Sequence, residues 1–103
     1  MNTAFLFDSP VLCERVADRL VLTVSRDGAD QPALAQHPLP VDEPGIVAID
    51  VDLAQVTQAN SVLIGWLVRL VALCGCPVTL LNVAPRVGMI LRRMNLHALM
   101  TIA

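Results

Sequence analysis

Ser61 is the side chain whose setting most invites chemistry. The chain leaves an apolar strand, crosses a short loop and enters a helix at Asn60-Ser61. Free backbone N–H groups and the positive end of the helix dipole gather at such a point, so a phosphate carried there is electrostatically favoured. Taken alone, the residues read more simply as a cap, with Asn60 or Ser61 satisfying an orphan N–H of the first turn. Asp50 and Asp52 close the preceding strand. Such an acid pair could hold Mg²⁺, although a turn or cap in the loop is the better reading. Cys74-Gly75-Cys76 straddles a helix stop. Two thiols one residue apart cannot complete a tetrahedral zinc site, and buried thiols are expected there rather than a redox pair. His37 and His97 have no cysteine or carboxylate at ligand spacing and read as ordinary surface or half-buried side chains. All seven cationic residues are arginines, so no lysine can serve a Schiff base, a phosphate loop or a general base. Gly65 and Gly75 stand too far apart to cradle a phosphate. With no nucleophile–base pair to assemble, no catalytic residue, metal or cofactor is expected, and the chain is not read as an enzyme.

The elements that must position Ser61 follow from local patterning. Ile46 to Val51 (IVAIDV) is a short apolar run after Pro44-Gly45 and predicts a buried strand. Ser61 to Cys74 has helical length, an Asn/Ser start and Gly75 as its stop. Val78 to Leu81 follows Pro77 as another buried strand. Pro85 suits the start of a helix, and Val87, Ile90, Leu91 and Met94 then recur at helical spacing up to Asn95, which can take the left-handed stop. Strand, helix, strand and helix in this order make an α/β unit, with the Ile46 and Val78 strands as parallel neighbours.

The first half is less regular. Leu20 to Ser25 (LVLTVS) predicts a strand ending at Arg26-Asp27-Gly28. Before it, Leu12, Val16 and Leu20 repeat at helical spacing and Ser9-Pro10 could cap a helix; a strand with a turn at Ala17-Asp18-Arg19 fits the same residues. Periodicity favours the helix. Residues 27–45 hold four of the seven prolines, Pro32, Pro38, Pro40 and Pro44, which predicts a long loop without a helix of any length.

Composition bounds the rest. A chain of 103 residues has room for one domain, here taken as 1–103 with 29–44 as a proline-rich loop. With 55% hydrophobic and 16% charged residues it is no disordered tail. A formal charge of −2 gives no broad pull towards nucleic acid or anionic lipid. Met1 to Pro10 lacks a basic start and meets Asp8 early, so it does not read as a signal peptide. The most apolar stretch, from Val62, is interrupted by Arg69, Pro77 and Asn82, short of the about 20 apolar residues of a membrane span. No membrane insertion is expected, and the location is read as cytoplasmic.

Ile46 to Met100 resembles the STAS domain, shared by anti-sigma factor antagonists and the cytoplasmic tails of sulfate transporters. In that family an apolar strand ends in Asp, a loop follows, and Asp-Ser-Ser/Thr-Gly-Leu opens a helix. Here IVAID ends at Asp50, VDLAQVTQA forms the loop, and Asn60-Ser61-Val62-Leu63-Ile64-Gly65 falls on the motif. Asn82-Val83-Ala84-Pro85 matches the later turn, and Leu91 through Asn95-Leu96 the terminal helix and its stop. Ser61 falls on the serine that a cognate kinase phosphorylates in regulatory members. Asn60, Val62 and Leu63 depart from the motif's Asp, second hydroxyl residue and Gly. Glu14 to Val21 resembles the family's opening hairpin, which takes precedence over the helical periodicity there, while the first family helix is expected to be reduced or missing.

The resemblance implies a small mixed, mainly parallel sheet with helices packed on one side. It further implies a protein-interaction module of the antagonist type, binding an anti-sigma or serine-kinase partner, with Ser61 as phosphoswitch. The alternative is a STAS-like structural subunit of a membrane-associated lipid transport complex, whose partner is the transporter ATPase; loss of the motif's Asp and Gly adds weight to it. Small-molecule or nucleotide sensing at the same loop has little support. Family register sets Ile64, Leu67, Val68 and Val71 of the helix against the sheet. The opposite side, Val62, Leu63, Trp66, Arg69, Leu70 and Leu73, together with Asn60, then forms a partner or homodimer surface with Trp66 and Arg69 as anchors. In the competing arrangement the proline-rich loop covers this side and Trp66 is core.

Overall fold

The computed structural model describes residues 11–26, 34 and 44–103. Five strands form one sheet in chain order: β1 (Val11–Val16), β2 (Arg19–Val24), β3 (Ala48–Asp52), β4 (Val78–Leu81) and β5 (Thr101–Ile102). β1 and β2 are antiparallel and every later pair is parallel. Two α-helices, α1 (Ser61–Cys74) and α2 (Pro85–Arg93), and a 3₁₀ turn at Leu96–Ala98 complete the described elements. The mixed, mainly parallel α/β sheet is the architecture expected above.

Stretch 11–20 is a hairpin and not a helix. Val16 leads into the two-residue turn Ala17-Asp18, where Ala17 takes a φ of 57°, and Arg19 starts the return strand. Such a turn suits the right-handed twist of the strands it joins. Arg15 braces it, donating from Nε to the Ala17 carbonyl at 2.9 Å and from Nη1 to the Pro44 carbonyl at 2.8 Å. The second bond ties the hairpin to the approach of β3. Gly45 is required beside it, since its φ is 78° and a Cβ there would meet Arg15 Nη2 at 2.9 Å.

Alternation along the strands divides the sheet into two faces. Leu20, Leu22, Val24, Ile49, Val51, Val78 and Leu80 point to one side and are buried. They share a core with Leu63, Trp66, Leu67 and Leu70 of α1 and Val87 and Leu91 of α2, so both helices cover this side. Arg19, Val21, Thr23, Asp50, Asp52, Thr79 and Leu81 lie on the other face, exposed or half-buried. Polar and β-branched residues at every second position are what one solvated sheet face selects.

Element limits in the second half follow the local signals closely. α1 runs from Ser61 to Cys74 and stops at Gly75, whose φ is 69°. Val78–Leu81 is a strand, and α2 has Pro85 at its start. Asn95 takes the left-handed conformation, with φ at 63°. β3 begins two residues later than the apolar run suggests; Val47 just before it is exposed and bonds its N–H to the Asp18 carbonyl at 2.8 Å. The 3₁₀ turn and β5 were not evident from patterning. β5 is two residues long and exists through its pairing with β4. The proline-rich stretch 29–44, expected to be a loop without a long helix, lies outside the described residues except for Pro44 and Leu34. Leu34 is helical and fully buried, so at that position the chain packs into the core and is not on the surface.

Candidate functional site

The loop from β3 to α1 is fixed at both ends and pinned in its middle. Asp52 accepts the Ala54 N–H at 2.9 Å and the Asn82 Nδ2 at 3.2 Å, linking the carboxyl ends of β3 and β4. Leu53 and Val56 are buried, and Val56 N–H bonds back to the Leu53 carbonyl at 3.0 Å. The chain then reaches Asn60, whose Oδ1 accepts the Leu63 N–H at 2.9 Å and caps α1. Ser61 is the first helical residue and is exposed. No acidic residue occupies the first turn, and the cap at the positive end of the α1 dipole is neutral. This end of α1 lies at the carboxyl edge of the parallel strands, where open α/β sheets place their functional loops.

The two aspartates do not form a paired cation site. Asp50 is gripped by Arg19, with Nε to Oδ2 at 3.0 Å and Nη2 to Oδ1 at 2.7 Å. That bond, reinforced by the charge of Asp50, pushes the Arg19 guanidinium further above its ordinary value. Asp52 serves the turn. Among the described residues no three His, Cys, Asp or Glu side chains gather as a metal site. Cys13 is exposed, and Cys74 and Cys76 are half-buried free thiols. Burial, followed by the neighbouring Cys76, raises the Cys74 thiol above its ordinary value. His97 is exposed on the 3₁₀ turn, beside a shallow hollow of about 210 Å³ lined also by Pro77, Val78 and Thr101. The hollow opens at the amino edge of β4, away from Ser61. His37 lies outside the described residues.

The face of α1 differs from the expected register. Leu63, Trp66, Leu67 and Leu70 are buried, with Trp66 1% exposed, while Val68 is exposed and Ile64 and Val71 are half-buried. The helix is rotated by about one residue step, roughly 100°, from the family alignment. Of the proposed contact residues, Leu63, Trp66 and Leu70 therefore belong to the core and have no surface to offer. Asn60, Val62 and Arg69 are half-buried and Leu73 is exposed. Solvent instead meets the stripe Ser61, Gly65, Val68 and Ala72, which periodic reading missed. The signal was present: Ser61, Gly65 and Arg69, the residues of α1 that are not apolar, recur every four positions. Among the described residues Trp66 Nε1 is buried without a hydrogen-bond partner.

No protein-family model matches the chain, and no curated protein matches it. Among solved structures it is similar to one described as the NMR structure of the protein TM1081. The TM-score is 0.68 at 18% sequence identity, over 100% of this chain and 84% of the other. The likeness is one of fold. Among the described residues no helix is long and apolar enough to cross a membrane.

Proposed function

We propose that the chain is a non-enzymatic interaction module of the STAS type, acting in the cytoplasm as an antagonist-like regulator with Ser61 as its phosphoacceptor. The observation that carries this reading is the exposed Ser61 hydroxyl at the first position of α1, behind a neutral Asn60 cap and at the carboxyl edge of the sheet. A phosphate there is favoured by the dipole and adds about −1.5 to −2 charges to a helix start that has no acidic residue in its first turn. The uncharged stripe Gly65, Val68 and Ala72 continues from Ser61 along α1 and supplies a contact surface for an anti-sigma or serine-kinase partner. Phosphorylation would then weaken that contact by desolvation and repulsion.

A second reading is supported by the occupants of the motif. Leu63, where the family has glycine, is a buried core residue, and Asn60 replaces the family's aspartate. These replacements favour a structural subunit that contacts a transporter ATPase without being phosphorylated. Incubation with ATP and a serine kinase of the anti-sigma type, followed by mass spectrometric mapping, separates the two. Phosphate on Ser61 and weaker partner binding by Ser61→Asp support the switch. An unmodified Ser61 with unchanged affinity in Ser61→Asp excludes it, and recovery of a transporter ATPase from native extracts then favours the subunit.

A further inference from the structure

Charge is segregated along the chain. Residues 1–52 hold nine carboxylates and three arginines, a formal −6, whereas residues 53–103 hold four arginines and no carboxylate, a formal +4. The half of the fold that contains both α-helices named above, β4 and β5 thus has no acidic side chain of its own. Three of the four arginines, Arg86, Arg92 and Arg93, are on α2. At 100° per residue, Arg92, Met89, Arg93, Arg86 and Ile90 fall in that order around the side opposite buried Val87, Gly88 and Leu91. All three arginines are exposed, Met89 is 49% exposed, and Met94 just past the helix is 56% exposed. Among the described residues none of the three guanidinium groups has a hydrogen-bond or ion-pair partner.

Helix stability accounts for only part of this. Arg92 and Arg93 complement the negative end of the α2 dipole, and Arg92 also folds back over Gly88, where a Cβ would meet its Nη1 at 3.2 Å. Arg86 stands in the first turn, where a cation is disfavoured by the same dipole. Its position is explained by the face it shares with Met89 and Arg93.

We propose that this face of α2 docks an acidic segment of another protein, one that carries carboxylates and apolar side chains at alternating contact positions. The guanidinium fork takes a carboxylate through two parallel hydrogen bonds, and methionine adapts its shape to apolar side chains. Arginine and methionine are also both enriched in protein interfaces. Three arginines fall below the cluster of about four to eight basic residues that reads an anionic membrane, and the apolar contribution is methionine rather than the Trp, Phe or Leu of interfacial helices. The proposal does not rest on Ser61.

The test uses the full chain with a fluorescein-labelled peptide of Glu and Leu at helical spacing, and the same peptide with Gln for Glu. Anisotropy should show binding of the Glu peptide alone, weakened by salt. Arg86→Gln/Arg93→Gln, checked to keep its circular dichroism and melting temperature, should weaken it roughly tenfold, the sum of two exposed charge pairs. Arg26→Gln, on the acidic half, should bind as the parent does. Equal binding by the double variant, or by the Gln peptide, overturns the proposal. It is also overturned if the Glu peptide does not bind while the same arginines govern flotation with phosphatidylserine vesicles, or govern self-association at low salt; the occupant is then a membrane or a second copy.

Discussion

Asn60 Oδ1 accepts the Leu63 backbone N–H at 2.9 Å, so the residue in front of Ser61 closes the first turn of α1 without bringing charge to it. Asn60→Ala removes that acceptor and should cost about 1 kcal/mol in urea unfolding. Asn60→Asp keeps the bond and adds a charge of favourable sign, so stability should rise by roughly 0.3–1 kcal/mol at low salt and the gain should shrink as salt is added. Ser61→Asp should show the same sign. A stabilised Ser61→Asp that nevertheless loses partner affinity separates the switch from any folding defect.

Trp66 tests the rotation of α1. A core indole removed as Trp66→Ala should cost about 3–5 kcal/mol, and Leu70→Ala about 2–5 kcal/mol, whereas Val68→Ala on the exposed stripe should stay within about 0.5 kcal/mol. Fluorescence gives a check that survives poor folding of the alanine variants. The single tryptophan of the parent protein should emit to the blue and resist quenching by iodide. Ready quenching would show that the opposite side of the helix faces inward.

Gly65 inside α1 and Gly75 at its stop should respond with opposite sign. Gly65 lies inside α1 and a Cβ there meets nothing within 4 Å, so Gly65→Ala should stabilise by about 0.5–1 kcal/mol. Gly75 has its φ at 69°, and Gly75→Ala should destabilise by roughly 1–2 kcal/mol. Thermal melts of the two variants side by side provide the comparison. If Gly65→Ala melts higher yet binds its partner less well, the stripe behind Ser61 is in contact.

Cys74 contributes to the pH dependence of stability on the alkaline side. Burial and then Cys76 hold its thiol above the ordinary value of 9.0 in the folded protein. The unfolded chain therefore ionises first as pH rises. The stability this thiol contributes is whole below about pH 9 and is lost as pH climbs through the higher folded-state value. Cys74→Ser should flatten that loss. With iodoacetamide near neutral pH, exposed Cys13 should alkylate before Cys74, as mass spectrometry of the peptides will show.

Much of the path to Ser61 is legible one residue at a time. The Asn60 cap, the Gly75 stop, the strand after Pro77, the Pro85 start and the left-handed Asn95 each depend on a few adjacent residues whose backbone preferences act locally. The parallel pairing of β3 with β4 follows from the helix between them, since a crossover of that length returns the chain in the same direction. Ser61 at the entry to α1 was fixed in the same way.

Three features needed the tertiary structure. Residues 11–20 fit helix and hairpin alike, and the pairing of β2 with β3, together with the Arg15 bond to Pro44, selects the hairpin. β5 is too short to announce itself and forms because the edge of β4 is there to receive it. The rotation of α1 was decided by volume. Eleven of its fourteen residues are apolar, so periodicity gives the helix little preference for which side to bury, and only a Ser, a Gly and an Arg mark the outside. Packing then favours the side carrying Trp66 with Leu63, Leu67 and Leu70, because it fills the space over the sheet with the greatest bulk. Sequence sets where the helix begins and ends; the space above β2, β3 and β4 sets which way it faces.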